Sequence, residues 1–92
     1  MQDIPSFLTT AEWRATTDTL GLSGRECEIV GSMIEGKSEA EIASHLGISP
    51  HTVHTHLERM HRKLKVTSRP HLIGRVLEAF ASVARRASPR VD

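Results

Sequence analysis

The segment SEAEIASHLGISPHTVHTHLERMHRKL, Ser38 to Leu64, holds two helix signals separated only by Gly-Ile-Ser. In the first, Ser38 and Glu41 have capping-box spacing: the serine hydroxyl meets a free helical N–H and the glutamate reaches back to the serine N–H. Gly47 can close that helix in the left-handed conformation that other residues resist. In the second, Ser49 is the N-cap and Pro50 takes the first helical position, where its missing N–H does no harm. Helices joined by so short a link turn a sharp corner, and this is the spacing of a helix-turn-helix. The corner leaves the start of the second helix exposed.

Projected at about 100° per residue, the second helix divides cleanly. Val53, Leu57, Met60 and Leu64 share one narrow apolar arc. His51, Thr55, Glu58, Arg59 and Arg62 lie opposite, flanked by His54 and His61, with His56 and Lys63 at the border. An apolar stripe alone is what most helices of globular proteins carry. The polar face is more specific. Thr52 and the N–H groups beside it at the helix start suit a phosphate. Arg59, Arg62, Lys63, Lys65 and Arg69 form a set that could track a phosphate backbone. A helix fits the DNA major groove, and residues near its N-terminus reach base edges first.

The flanks repeat the same grammar. In SGRECEIVGSMIEG, Ser23 and Glu26 form a second capping box and Gly36 closes the helix, with Cys27, Val30 and Ile34 as a stripe that Ile29 and Met33 widen. In TTAEWRATTDTLG, Thr9 and Glu12 have capping-box spacing, Gly21 ends the helix, and Trp13 and Leu20 share a face. TSRPHLIGRVLEAFASVARR reads as a last helix over about 69–84, capped by Thr67 or Ser68, with Leu72, Ile73, Val76, Leu77 and Phe80 at helical spacing. RRASPRVD, from residue 85 to 92, reads as a basic flexible tail.

With 92 residues, no Tyr, one Trp and two Phe, the chain is one small all-α domain; a sheet would want more β-branched and aromatic residues. Net charge is only +1, yet residues 1–48 set three basic groups against eight acids while residues 49–92 set nine against three. That asymmetry suits one face for an anionic partner. No apolar run approaches a membrane span, and the N-terminus lacks the basic and apolar regions of a secretory signal. A single cysteine, Cys27, fits a reducing cytoplasm and a small packed residue better than a reactive thiol.

Four of the six histidines fall between Ser49 and Val66, which raises metal binding. His51 and His61, however, lie ten residues apart, about 15 Å along a helix axis, and cannot share an ion held at about 2 Å. No metal, cofactor or small-molecule ligand is expected. Nor is an enzyme: Cys27 and a histidine could pair on paper, but nothing supplies an oxyanion hole or a third group. His56 is expected to be a packed structural histidine with a satisfied ring nitrogen.

L-S-x-R-E at Leu22–Glu26, G-x-S-x-x-E-I-A at Gly36–Ala43, L-G-I-S at Leu46–Ser49, T-V-x-x-H at Thr52–His56 and K-L-x-V-x-S-R at Lys63–Arg69 together resemble the LuxR-type helix-turn-helix DNA-binding domain. The resemblance covers about residues 22–80, and motifs this numerous, in order and at the right spacing, are specific. It implies a four-helix LuxR-type domain, here preceded by one extra helix, and double-stranded DNA as the partner of a bacterial transcription regulator. Base contacts would fall on His51, His54, Thr55 and Glu58, and phosphate contacts on Ser49, Thr52, Arg59, Arg62, Lys63, Lys65 and Arg69. The last helix would carry a homodimer contact, for which Leu72, Arg75 and Val76 are the candidates.

The chain departs from the family's habit at three positions: His54 and Glu58, where basic residues are common, and Lys65, where Gly is usual. The expected organisation is a lead-in and extra helix over 1–21, the domain over 22–84 and the tail over 85–92. Most relatives carry a receiver or ligand-binding domain ahead of this module; with about 21 residues before it, none is expected within this sequence. The Trp13 helix would cover an otherwise bare apolar surface, or the chain is the end of a longer protein. The rival reading is a protein-interaction module that kept the fold and lost specific DNA binding.

Overall fold

A computed structural model describes residues 11–87. Those residues form five helices and no strand: α1 (Ala11–Leu20), α2 (Gly24–Ile34), α3 (Glu39–Leu46), α4 (Pro50–Leu64) and α5 (Arg69–Ala87). The expected cap at Thr9 lies outside the described residues. Both other capping boxes are formed. Ser23 N–H donates to Glu26 Oε1 at 2.9 Å and Glu26 N–H to Ser23 Oγ at 3.1 Å; the Ser38–Glu41 pair repeats this at 2.8 and 3.1 Å. Ser49 Oγ accepts from Thr52 N–H at 3.0 Å, with Pro50 in the first turn as expected.

The helix ends share one geometry. After α3, Gly47 N–H donates to Ser44 O at 3.3 Å and Ile48 N–H to Ala43 O at 3.0 Å, with Gly47 at φ +70°. This Schellman arrangement satisfies the last carbonyls and turns the chain. Gly21 and Gly36 close α1 and α2 in the same left-handed region. The end of α4 is different: Lys65 takes that conformation at φ 58°, and Val66 N–H donates to His61 O at 2.9 Å. A lysine there costs on the order of 1 kcal/mol relative to glycine. Val66, buried beside it in the core, helps to hold the turn.

α3 packs on α4; α2 touches α3, α4 and α5; α1 lies along α5. The centre contains Ile29, Val30, Ile42, Val53, Met60, Leu72 and Val76, all fully enclosed. The stripe of α2 is centred on Ile29, Val30 and Met33, while Cys27 and Ile34 sit half-buried at its edge. Trp13 is buried against α5 with its ring 6.3 Å from that of Phe80, tilted 51°. The extra helix does cover an apolar face. It also buries Thr16 and Thr17, whose hydroxyls donate back to Glu12 O and Arg14 O.

Two expectations for α5 change. Leu72 and Val76 belong to the interior of this domain, so they present nothing to a second copy; Arg75 is exposed, and Leu77, at 39% exposure, is an outward large apolar residue. The helix also runs past residue 84 to Ala87, and Arg86 Nη1 donates to Ser82 Oγ at 2.7 Å within it. The first three residues assigned to a tail are therefore helical.

Candidate nucleic-acid interface

The start of α4 stands at the Gly47–Ser49 corner, and its caps limit what it can offer. Thr52 N–H is taken by Ser49 Oγ and Val53 N–H by Ser49 O at 3.1 Å; Pro50 has no N–H. The His51 N–H has no partner among the described residues. The Ser49 and Thr52 hydroxyls bond each other at 2.9 Å, which presents them to solvent as a pair. What the helix start offers a ligand is therefore these two hydroxyls more than the backbone.

Along the outward face, His51, His54, Glu58, Arg59 and Arg62 are all exposed and Thr55 is half-exposed. Among the described residues, no carboxylate pairs with Arg59, Arg62 or Lys65. Their positive charges are uncompensated, as a phosphate-binding surface requires. The Thr55 hydroxyl donates to His51 O at 3.1 Å, which leaves its oxygen as an acceptor. His54 lies between two carboxylates: Nδ1 is 3.7 Å from Glu39 Oε1 and Nε2 is 3.5 Å from Glu58 Oε2. Glu39, in the first turn of α3, is the member of this group that sequence reasoning missed. Its signal was the corner itself, which packs α3 onto α4.

Two expected phosphate contacts are structural instead. Lys63 Nζ donates to Glu26 Oε1 at 2.7 Å and to Gly21 O at 2.8 Å, reaching back across the domain. Glu26 is buried. Burial pushes its carboxyl pKa up, but the Lys63 hydrogen bond, the Ser23 N–H and the charges of Lys63 and His56 outweigh that and hold it below the ordinary 4.5. A buried carboxylate cannot release its partner cheaply, so Lys63 is committed. Arg69 Nη2 donates to Lys37 O and ties the start of α5 to the α2–α3 link.

The remaining histidines also move. His61 is half-buried and its Nε2 is enclosed, so it does not face outward as its place on the helical projection suggested. His56 is half-buried as expected, but its Nδ1 is enclosed without a hydrogen-bond partner among the described residues. Burial, and then the charges of Asp18, Glu26 and Glu28, push the Cys27 thiol pKa up, against a hydrogen bond with Thr17. That keeps it protonated and poorly nucleophilic. No group of three or more metal-ligating side chains is assembled among the described residues.

A capped three-residue corner, an apolar arc facing inward and an uncompensated cationic face outward define a helix-turn-helix domain of the kind that binds DNA. The family described as bacterial regulatory proteins, luxR family, matches residues 20–76, and the chain belongs to it. The transcriptional regulatory protein FixJ of Azorhizobium caulinodans is 36% identical over 69 residues, which is 75% of this chain and 33% of the relative. The transcriptional regulatory protein MctR of Rhizobium johnstonii is 39% identical over 57 residues, 62% of this chain and 27% of the relative. The monoamine regulon transcriptional regulator of Klebsiella aerogenes is 44% identical over 54 residues, 59% of this chain and 24% of the relative. The chain therefore spans about a third or less of the length of these relatives. No solved structure matches it. The family match begins at Leu20, so α1 stands almost wholly outside it.

Proposed function

We propose that this domain binds double-stranded DNA sequence-specifically within a bacterial transcription regulator, working in the cytoplasm and catalysing no reaction. α4 enters the major groove. His51, His54, Thr55 and Glu58 approach base edges, and Ser49, Thr52, Arg59, Arg62 and Lys65 approach phosphates. The observation that carries this reading is the outward face of α4, where Arg59, Arg62 and Lys65 are exposed, with no carboxylate paired to them among the described residues, beside the corner that frees the helix start. Two protomers would meet through the outward side of α5, around Arg75 and Leu77, so that two recognition helices reach half-sites about one DNA turn apart.

Equilibrium binding to duplex DNA over a range of salt tests the reading. Three phosphate-contacting cations per protomer give a slope of log affinity against log salt of about −5 for a dimer. A slope near zero would overturn it. No helix among the described residues is long and apolar enough to cross a membrane. The carboxylates of Glu39 and Glu58 beside His54 favour the rival reading, a protein-interaction module. Enrichment of discrete promoters with the native protein in a chromatin pull-down would exclude it as the main activity.

A further inference from the structure

We propose that Glu58, steadied by His54, reads the exocyclic amino group of a cytosine in each half-site; the inference rests on the DNA-binding reading above and adds which base this helix selects. Glu58 is exposed on the outward face of α4, four residues after His54 and three after Thr55. An ionised carboxylate offers acceptors and no donor. In the major groove, guanine presents N7 and O6 and thymine presents O4 and a methyl group, so both oppose a carboxylate with acceptors or a hydrophobe. Adenine offers its N6 amino group beside the N7 acceptor, which repels the second carboxylate oxygen. Cytosine offers the N4 amino group with no acceptor of its own on that edge. It is the base that a carboxylate meets without conflict.

The surroundings reinforce the choice. Thr55 has donated its proton to His51 O, so this neighbour too presents an acceptor. His54 Nε2 lies 3.5 Å from Glu58 Oε2 and Nδ1 lies 3.7 Å from Glu39 Oε1, so the imidazole stands between a carboxylate of α3 and one of α4. It stands beside one oxygen of the Glu58 carboxylate, which leaves the other oxygen for the base. His54 is thus a positioning residue, and Glu39 anchors it from the neighbouring helix. The acidic residue that would weaken phosphate binding becomes a reader of base identity.

Selection of bound sequences from a random duplex pool, run in parallel on the full chain and its Glu58→Ala, Glu58→Gln and His54→Gln variants, tests this. The unchanged chain should enrich a half-site with cytosine at one position, and replacing that cytosine should weaken binding on the order of tenfold. Glu58→Ala should lose preference there while keeping the rest of the motif. Glu58→Gln should move the preference to adenine, which an amide matches with both a donor and an acceptor. His54→Gln should broaden that position, beside any change at the base that His54 itself approaches. An identical motif from Glu58→Ala, or a changed position that is not cytosine in the unchanged chain, overturns the proposal. An unaltered cytosine preference in His54→Gln overturns the positioning role. Enrichment of no motif at all by the unchanged chain overturns the sequence-specific reading itself, which is a separate result.

Discussion

The two corners that bracket α4 are built on the same hydrogen bonds and held by different means. At the first, Gly47 takes the left-handed position without strain, and Ser49 caps the next helix through its own neighbours. Its hydrogen bonds all lie between Ala43 and Val53. At the second, Ser68 caps α5 in the same way, but Lys65 takes the left-handed position against its preference and distant contacts are added to hold the turn. Lys63 reaches Gly21 and Glu26, Arg69 reaches Lys37, and Val66 sinks into the core. A corner made of local signals keeps its side chains free for a partner. A corner made of distant contacts spends Lys63 and Arg69 on the fold, which is why Arg62 and Lys63, adjacent in the chain, do opposite work.

The sharpest break of this contrast is Lys63→Met. It leaves the buried Glu26 carboxylate without its cation, a loss that reaches about 3–5 kcal/mol for fully enclosed pairs. The half-exposed Lys63 head brings the expected loss to roughly 2 kcal/mol by urea denaturation. The acid limb should change as well. The depressed Glu26 pKa contributes stability that is present above about 4.5 and is lost as pH falls through the folded-state value. Stability of the unchanged chain should therefore fall below that pH, and more steeply than in Lys63→Met. Equal acid sensitivity would place the linkage elsewhere.

Next in size is Gly47→Ala. No atom lies within 4 Å of the added Cβ, so the cost is the left-handed backbone alone, about 1 kcal/mol. The smallest effect, of opposite sign, belongs to Lys65→Gly. Relief of strain should stabilise the domain by roughly 0.5–1 kcal/mol. Duplex binding should meanwhile lose about one counterion per protomer from its salt slope. Thermal and denaturant melts of the two variants should move in opposite directions. Movement in the same direction would show that the left-handed positions are not equivalent.

This division also explains what could be read in the chain beforehand. The first corner, both described capping boxes and the apolar arc of α4 were legible because each is encoded by residues three or four apart. Glu39, Lys63 and Arg69 were not. A helical projection places Lys63 at a border and has no way of knowing that a buried carboxylate lies within its reach. Glu39 meets His54 only because the corner folds α3 over α4. Leu72 and Val76 were assigned to a partner surface because periodicity finds an apolar stripe without saying which neighbour covers it; α1 and the core cover it here. The cations still assigned to phosphates, Arg59, Arg62 and Lys65, are those with no carboxylate partner among the described residues.

The most direct test of the account is the salt dependence of duplex binding by the unchanged chain and by a double variant, Arg59→Gln with Arg62→Gln. Both cations are exposed on α4, with no carboxylate paired to them among the described residues. Their removal should therefore leave thermal stability nearly unchanged and reduce the magnitude of the slope by roughly 3–4 in a dimer. Parallel slopes for the two proteins, with the fold intact, would contradict the assignment of this face to DNA.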